Sequence, residues 1–518
     1  MRKARVRTVH NQLRLLLGLQ FGIELSSLPM RKLFLSLAAS TLFLACHVHA
    51  DDDPGLAAFR NRDYVTAMAL WKDAAAKGDV HAQAGLGVLY ANGLGIPRDD
   101  AQALHWFAEA AKQGDSNGQY NMGVMSRDGR ATPKSGAEAV RWFRAAAAQG
   151  DSNAKINLGA AYRMGDGVEK DPKEAFRWYL DAAQQNNAAA ELLVGLLYQK
   201  GDGVEKSDKE ALRWFRAAAD RGFYDAQYEV GAVYENGWGV PRDEKEAARW
   251  YQMASAFGYA KAQDRLGMMT LDGRGVAKNA EEGVKLLMQA ARQGLAPAQF
   301  DLGHCYAEGR GVAKDEKEAA HWLRIAADQG NADAQFMLGT MYLDGRGVDK
   351  DEKEAANLTR KAAEQGIAAA QSALGAMYAN GQGVAKSDRD SAHWYQLAAA
   401  QGDPEAENNL GWSYREGVGI ERDAAKAAVW FRSSAQQGNA YGQLSLGQLY
   451  RTGLGVEANP VLAYAWIDLA AKSGDPDAIK ERDSLGKSMK PAELTQARRL
   501  SAAWKVGAAM EIAGAAKK

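Results

Sequence analysis

GRGVAKDEKEAAHWLRIAADQG, residues 309 to 330, is a phrase the chain writes repeatedly. Residues 201 to 222 read GDGVEKSDKEALRWFRAAADRG, and residues 345 to 366 read GRGVDKDEKEAANLTRKAAEQG. The leading glycine returns every 36 residues from Gly93 through Gly129, Gly165 and Gly201 to Gly453. A second glycine follows two positions later in each case but one, where Ala131 stands. Tryptophan keeps the same phase at 106, 142, 178, 214, 250, 322, 394, 430 and 466. A period this long and this regular is the mark of a repeat array, in which no unit buries its apolar face alone.

Each column has a physical reading. Asp63, Asp99, Ser135, Asp171, Ser207, Asp243, Asn279, Asp315, Asp351, Ser387, Asp423 and Asn459 occupy one column, and all of them are residues that cap helix N-termini. Glu138, Glu174, Glu210, Glu246, Glu282, Glu318 and Glu354 follow three positions on, the spacing of a capping box. The helix so started, helix A, is expected to stop at Gly78, Gly114, Gly150 and their equivalents, with Asn186 as the one substitute. A second helix, B, carries a Leu-Gly pair, as in Leu158-Gly159 and Leu338-Gly339. Glycine inside a helix costs about 1 kcal/mol against alanine, which implies close approach of a neighbouring helix. The Trp column and the tyrosines at Tyr90, Tyr162, Tyr234 and Tyr342 are the expected large partners. Burying each contributes about 2 to 3 kcal/mol.

At 518 residues the chain exceeds the size of one hydrophobic core, as an array requires. Sixty-four basic residues balance sixty-four acidic ones, so no global field favours nucleic acid or an anionic membrane. The first fifty residues differ from the rest. Met30-Arg-Lys is followed by an apolar run over 33–45 and by Val48-His49-Ala50, which reads as a secretory signal cleaved after Ala50. Cys46 is a competing lipoprotein site, preceded by a poorly matching Phe43-Leu44-Ala45. Translation starting at Met30 rather than Met1 fits this arrangement. Cleavage after Ala50 leaves Cys305 as the single cysteine, so export implies no internal disulfide. The organisation expected is an extension and signal over 1–50, repeats over 51–485, and a C-terminal capping helix and tail over 486–518. The mature chain is expected to be periplasmic or secreted, to have no transmembrane segment, and to be monomeric.

The pattern A-x-x-W-F/Y-x-x-A-A-x-x-G, then A-Q-x-x-L-G-x-x-Y-x-x-G-x-G-V-x-x-D, resembles the Sel1-like repeat, a relative of the tetratricopeptide repeat. The resemblance covers roughly residues 60 to 485, with eleven full repeats and a partial twelfth. Ser126 and Thr270 depart from it in the tyrosine column, and Ala131-Thr132-Pro133 departs in one loop, which are the places for looser packing. It implies an all-α fold, a right-handed α/α superhelical solenoid of about eleven to twelve helix pairs, used as a protein-binding scaffold. Bacterial members are often exported adaptors in envelope assembly, exopolysaccharide control or host interaction.

Searching the chain for chemistry finds little. The G-x-G loops follow a helix instead of a strand, so helix termination explains them and phosphate cradling does not. His105, His321 and His393 share one column but stand two to eight repeats apart, too far to meet on one metal. Ser152-Asn-Ala-Lys155 and Ser484-Leu-Gly-Lys487 match a penicillin-binding tetrad without its companion motifs. Cys305 falls in a core column. No catalytic residue, metal or cofactor is therefore expected.

Columns that change from repeat to repeat carry the candidate binding residues. Between the two loop glycines lie Arg130, Asp166, Asp202, Arg274, Arg310 and Arg346, but Trp238 in one repeat. Phe223, Tyr224, Tyr228 and Tyr259 lie near it in the densest aromatic stretch of the chain. Trp412 stands in a helix-B column that elsewhere holds Val88, Ala160, Thr340 and Gln448. Exposed aromatics anchor partners, whereas packed ones belong to the core, and sequence leaves both readings open for Trp238 and Trp412. His105, Arg141, Arg177, Arg213, Arg249, His321 and His393 form a stripe on helix A that is either a groove lining or a solvated face. The expected function is an exported scaffold that binds a partner protein or extended peptide. The alternative is an envelope enzyme or glycan-binding factor acting on peptidoglycan or exopolysaccharide, which a carboxylate pair converging with an aromatic platform would favour.

Overall fold

The computed structural model describes residues 53–510, which fold into 26 α-helices and, among the described residues, no strand. The signal, the cleavage site, Cys46 and the start at Met30 lie outside the described residues. A helix Pro54–Arg60 comes first, and then helices A and B alternate from Tyr64–Ala76 and Val80–Asn92 to Pro460–Ala471 and Pro476–Ser488. The result is an all-α solenoid of helix pairs. It forms two compact units, one up to Leu295 and one from Ala296. The boundary expected after residue 485 falls inside the helix Pro476–Ser488.

The cap column behaves as its chemistry dictates. All twelve predicted residues precede a helix A and accept from its first-turn amides, as Asp171 does from Lys173 and Glu174 at 2.9 and 3.0 Å. The return half of the expected capping box does not form there. The backbone amide of the capping residue donates instead to the carbonyl nine residues earlier, from Asp171 to Tyr162 at 2.8 Å and from Asp243 to Tyr234 at 3.0 Å. That bond ties helix A to the helix B before it and leaves the glutamate side chain free to turn outward. At the helix ends Asn186 adopts φ 64° in place of glycine, and in the loop Ala131 adopts φ 52°.

The glycine inside helix B meets a different column from the expected one. A methyl group placed on Gly87, Gly123, Gly159, Gly195, Gly231 or Gly411 would run into Phe107, Phe143, Tyr179, Phe215, Tyr251 or Phe431, in each case the residue after the Trp column. These rings are the fully buried ones. Trp106, Trp142, Trp178, Trp214 and Trp322 are half-buried, and of this column only Trp250 and Trp466 are buried. The reason is rotational. One residue further along helix A turns 100°, which carries the side chain from the edge of the A–B interface to its centre.

A buried amide ladder ties successive repeats together. Gln335 donates to the Ala327 carbonyl at 3.0 Å and accepts from Gln365 at 2.7 Å, and Gln371 repeats both contacts with Ala363 and Gln401. Where the column changes to Glu191, its partner becomes Arg221. Beyond the last pair, Pro491–Ala503 packs on Pro460–Ala471 with Ala497 buried. Trp504 then packs edge-on against Trp466 with ring centroids 5.5 Å apart.

Candidate partner-binding face

Helix geometry divides each pair into two faces. In the helix Tyr224–Asn236, Ala226, Gln227, Val230, Gly231 and Val233 are buried on the side that meets helices A. At 100° per residue, Asp225, Tyr228, Glu229 and Glu235 point the opposite way, around the likewise buried Ala232. Equivalent positions are largely buried in the helices B between Val80 and Lys200, and largely half-buried or exposed in those from Ala296 onward, where they form the inner face of the helix pairs.

The basic stripe on helix A is elsewhere. Arg141, Arg177, Arg213 and Arg249 are exposed and each pairs with the glutamate three residues before it, at 2.7, 3.1, 3.1 and 3.4 Å. The glutamates freed from the capping box thus neutralise the stripe. His105, His321 and His393 are exposed in the same column and lie edge-on to Trp106, Trp322 and Trp394. The stripe forms the outward face of helix A and does not line the face of helices B. Pairs of this kind on an exposed helix contribute only about 0.3 to 0.5 kcal/mol.

The position between the loop glycines is partly committed to architecture. Arg130 bonds Asp100 and the Ala91 carbonyl, and Arg274 bonds Glu235 at 3.1 Å and lies 3.9 Å from Glu244. These contacts reach back to the previous repeat. Trp238 takes the same position but is 40% exposed. It does not join the tyrosines, because it ends the helix that Tyr224 begins, about 20 Å further along.

The tyrosines do come together. Tyr224 and Tyr259 have ring centroids 5.1 Å apart, Tyr228 and Tyr259 5.7 Å, and Tyr228 and Tyr251 5.5 Å. Phe223 stacks on Tyr224 and also packs on the core around Phe215 and Trp250. The carboxylates among these rings were not singled out in the sequence, because Asp225 and Glu229 look like ordinary helix-surface charges. Burial pushes the carboxyl of Asp225 up, against the Tyr259 hydroxyl bonded to it and the charge of Lys261. Burial likewise pushes Glu229 up to about 7, with Lys261 and Lys200 opposing and Asp225 adding to the rise. Tyr259 is held well above the usual phenol range by burial and by the two carboxylates. The signal available in sequence was a pair of acids at i and i+4 within an aromatic-rich helix start.

Trp412 is 45% exposed on the inner face of the helix Pro404–Glu416, in the column of Ala232. One repeat later Tyr441, 62% exposed, occupies the column of Asp225. One turn before Trp412, the Asn408 amide oxygen accepts from the Ser445 hydroxyl at 3.2 Å. Cys305 is buried. Among the described residues no three His, Cys, Asp or Glu side chains are placed to hold a metal ion, and no helix is long and apolar enough to cross a membrane.

Comparison with known proteins agrees with this architecture. The family model for the Sel1 repeat matches eleven consecutive segments from residues 80–115 to 440–475. A crystal structure of c5321, a protective antigen of uropathogenic Escherichia coli with an SLR fold, is 35% identical with a TM-score of 0.67, covering 84% of this chain and 93% of that one. A Sel1 repeat protein from Oxalobacter formigenes is 34% identical over 60% of this chain and 89% of its own, with a TM-score of 0.44. No curated protein matches the chain.

Proposed function

This chain belongs to the Sel1 repeat family, and from that premise we propose that it is an exported, non-enzymatic scaffold holding a partner protein, or an extended segment of one, along the inner face of its helices B. The observation that carries this reading is Trp412, a large aromatic residue left 45% exposed on a face whose core columns are otherwise filled. Exposed aromatics are the residues that supply most of the binding energy at protein interfaces. Stacked helix pairs hold such a face in place beforehand, so little freedom is lost on the receptor side. The signal-like segment 33–45 supports placement in the periplasm or beyond. That the relative c5321 is a protective antigen supports exposure outside the cytoplasm. The scaffold acts as a monomer and needs no cofactor.

A photo-reactive phenylalanine analogue at position 412, and another at position 141 on the outward face of helix A, test this in the native envelope. A discrete adduct from 412 and none from 141 is the expected outcome. Equal labelling from both positions, or none from 412, would sink the reading.

The enzymatic alternative has one observation in its favour, the convergence of Asp225 and Glu229 with three tyrosines. The geometry stops short of glycoside hydrolysis. Carboxylates one turn apart on one helix approach a substrate from the same side, whereas hydrolysis needs them to flank the bond. Both carboxyls are also pushed in the same direction, where an acid and a nucleophile need opposite shifts.

A further inference from the structure

We propose that the floor formed by Tyr224, Tyr228, Glu229 and Tyr259 receives one basic side chain, a lysine or arginine, of the segment the scaffold binds. This rests on the scaffold reading above and adds the chemistry of the partner. The rings and the carboxylate belong to two successive helices B, Tyr224–Asn236 and Ala260–Asp272, with Tyr259 capping the second.

Each neighbouring carboxylate has an internal partner, and Glu229 does not. Asp225 carries the Tyr259 hydroxyl, and Glu235 carries the Tyr251 hydroxyl at 2.8 Å and Arg274 at 3.1 Å. Among the described residues Glu229 makes no hydrogen bond, and no ion pair joins it to a cation. The charged groups facing it are Asp225 on its own helix, Lys200 on the preceding helix B and Lys261 on the following one. Arg265 and Asp264, on that following helix, face Tyr228 instead. Ala232, one turn beyond Tyr228, is buried and adds no polar group to the floor formed by the half-buried rings and Glu229. An ammonium or guanidinium entering there meets tyrosine faces, which attract cations, and a carboxylate still short of a partner. Neither a neutral nor an acidic side chain gains from both.

Proton linkage gives the inference its own signature. Burial holds the Glu229 carboxyl near 7, so at neutral pH a fraction of the molecules carry its proton. A bound cation favours the ionised form, so binding expels that proton and strengthens as pH rises from 6 to 8.

The test uses the full chain and acetylated, amidated decapeptides of alternating alanine and lysine, with arginine and glutamate versions. Calorimetry at pH 6, 7 and 8, in two buffers of different ionisation enthalpy, reads both affinity and proton release. The lysine or arginine decapeptide should bind, release protons near pH 7, and bind about tenfold more weakly to Glu229→Gln. Tyr259→Phe keeps the ring and frees the Asp225 carboxylate from its hydroxyl partner, so it should bind the basic decapeptides at least as tightly as wild type. Equal affinity for wild type and Glu229→Gln, or tighter binding of the glutamate decapeptide, would overturn the assignment. If the adduct from position 412 survives such a result, the scaffold stands and only its basic ligand falls. If the adduct is absent while Glu229-dependent binding persists, the scaffold reading is the one that fails.

Discussion

Gly231 lies under the ring of Tyr251: a methyl group built on this glycine would stand 2.6 Å from Tyr251 Cε1. The same 20-residue relationship joins Gly339 to Thr359, where the nearest atom, Thr359 Oγ1, would be 2.9 Å away. Alanine at either site gains about 1 kcal/mol of helix propensity. Overpacking against an immobile ring costs about 1 to 3 kcal/mol. Gly231→Ala should therefore destabilise by about 0 to 2 kcal/mol net, while Gly339→Ala, which meets a single side-chain oxygen and not a ring, should cost less. Urea denaturation of the two variants makes the comparison, and a larger loss at Gly339 would refute it.

Ala131 offers the opposite opportunity. It sits at φ 52° in the place where every other repeat has its second loop glycine. A residue with a Cβ costs about 1 to 2 kcal/mol in that region, and glycine gives back about half of this through the freer unfolded chain. Ala131→Gly should stabilise by about 0.5 to 1 kcal/mol, visible as slower hydrogen exchange in the helices on either side of the loop.

Exposure separates two tryptophans that look alike in the sequence. Trp250 is 7% exposed and donates to Glu246 at 3.0 Å, so Trp250→Ala should cost about 3 to 5 kcal/mol. Trp412, at 45% exposure, should tolerate alanine within about 0.5 kcal/mol while losing the partner. Thermal melts paired with the crosslinking readout would expose an error in either half.

Glu229 predicts a pH slope in stability without any ligand. Its folded-state value of about 7 lies above the ordinary carboxyl value, so between roughly 4 and 7 the folded chain holds a proton that the unfolded chain has released. Stability contributed by this group is thus fully present at the acid end and is lost as pH rises through 7. Glu229→Gln should flatten that part of the profile in denaturation series from pH 5 to 8. An unchanged slope would place the proton on another group.

How much of this was legible depends on what repeats. The period, the capping residues and the helix ends were readable because each is a local requirement met the same way in every copy. The partner of the helix-B glycine was misassigned to the tryptophan and tyrosine columns, since a single residue step around a helix is a matter of packing and not of composition. The capping box was read by its spacing alone, but its return bond loses to the carbonyl of Tyr162 or Tyr234, which only the folded neighbour supplies. Trp238 was grouped with Tyr224 and Tyr228 by proximity in the chain, although a whole helix separates them. Asp225 and Glu229 are unusual through burial and not through identity, which a sequence does not display. The fold was therefore written in the constant columns, and the candidate site in columns whose meaning depends on which face they reach.

The second loop glycine has a further consequence. An added Cβ at Gly203 would strike the Pro172 carbonyl, at Gly275 that of Glu244, and at Gly383 that of Glu352, the first helical residue of the preceding pair in each case. Each of these turns therefore rests on a seat supplied by chain that was synthesised earlier. A growing or translocating polypeptide finds each seat already built when the next turn arrives, so assembly can keep pace with emergence from the N-terminal end. Removing pairs from the C-terminal end leaves the remaining turns seated, whereas removing one from the N-terminal end strips the support from the turn that follows.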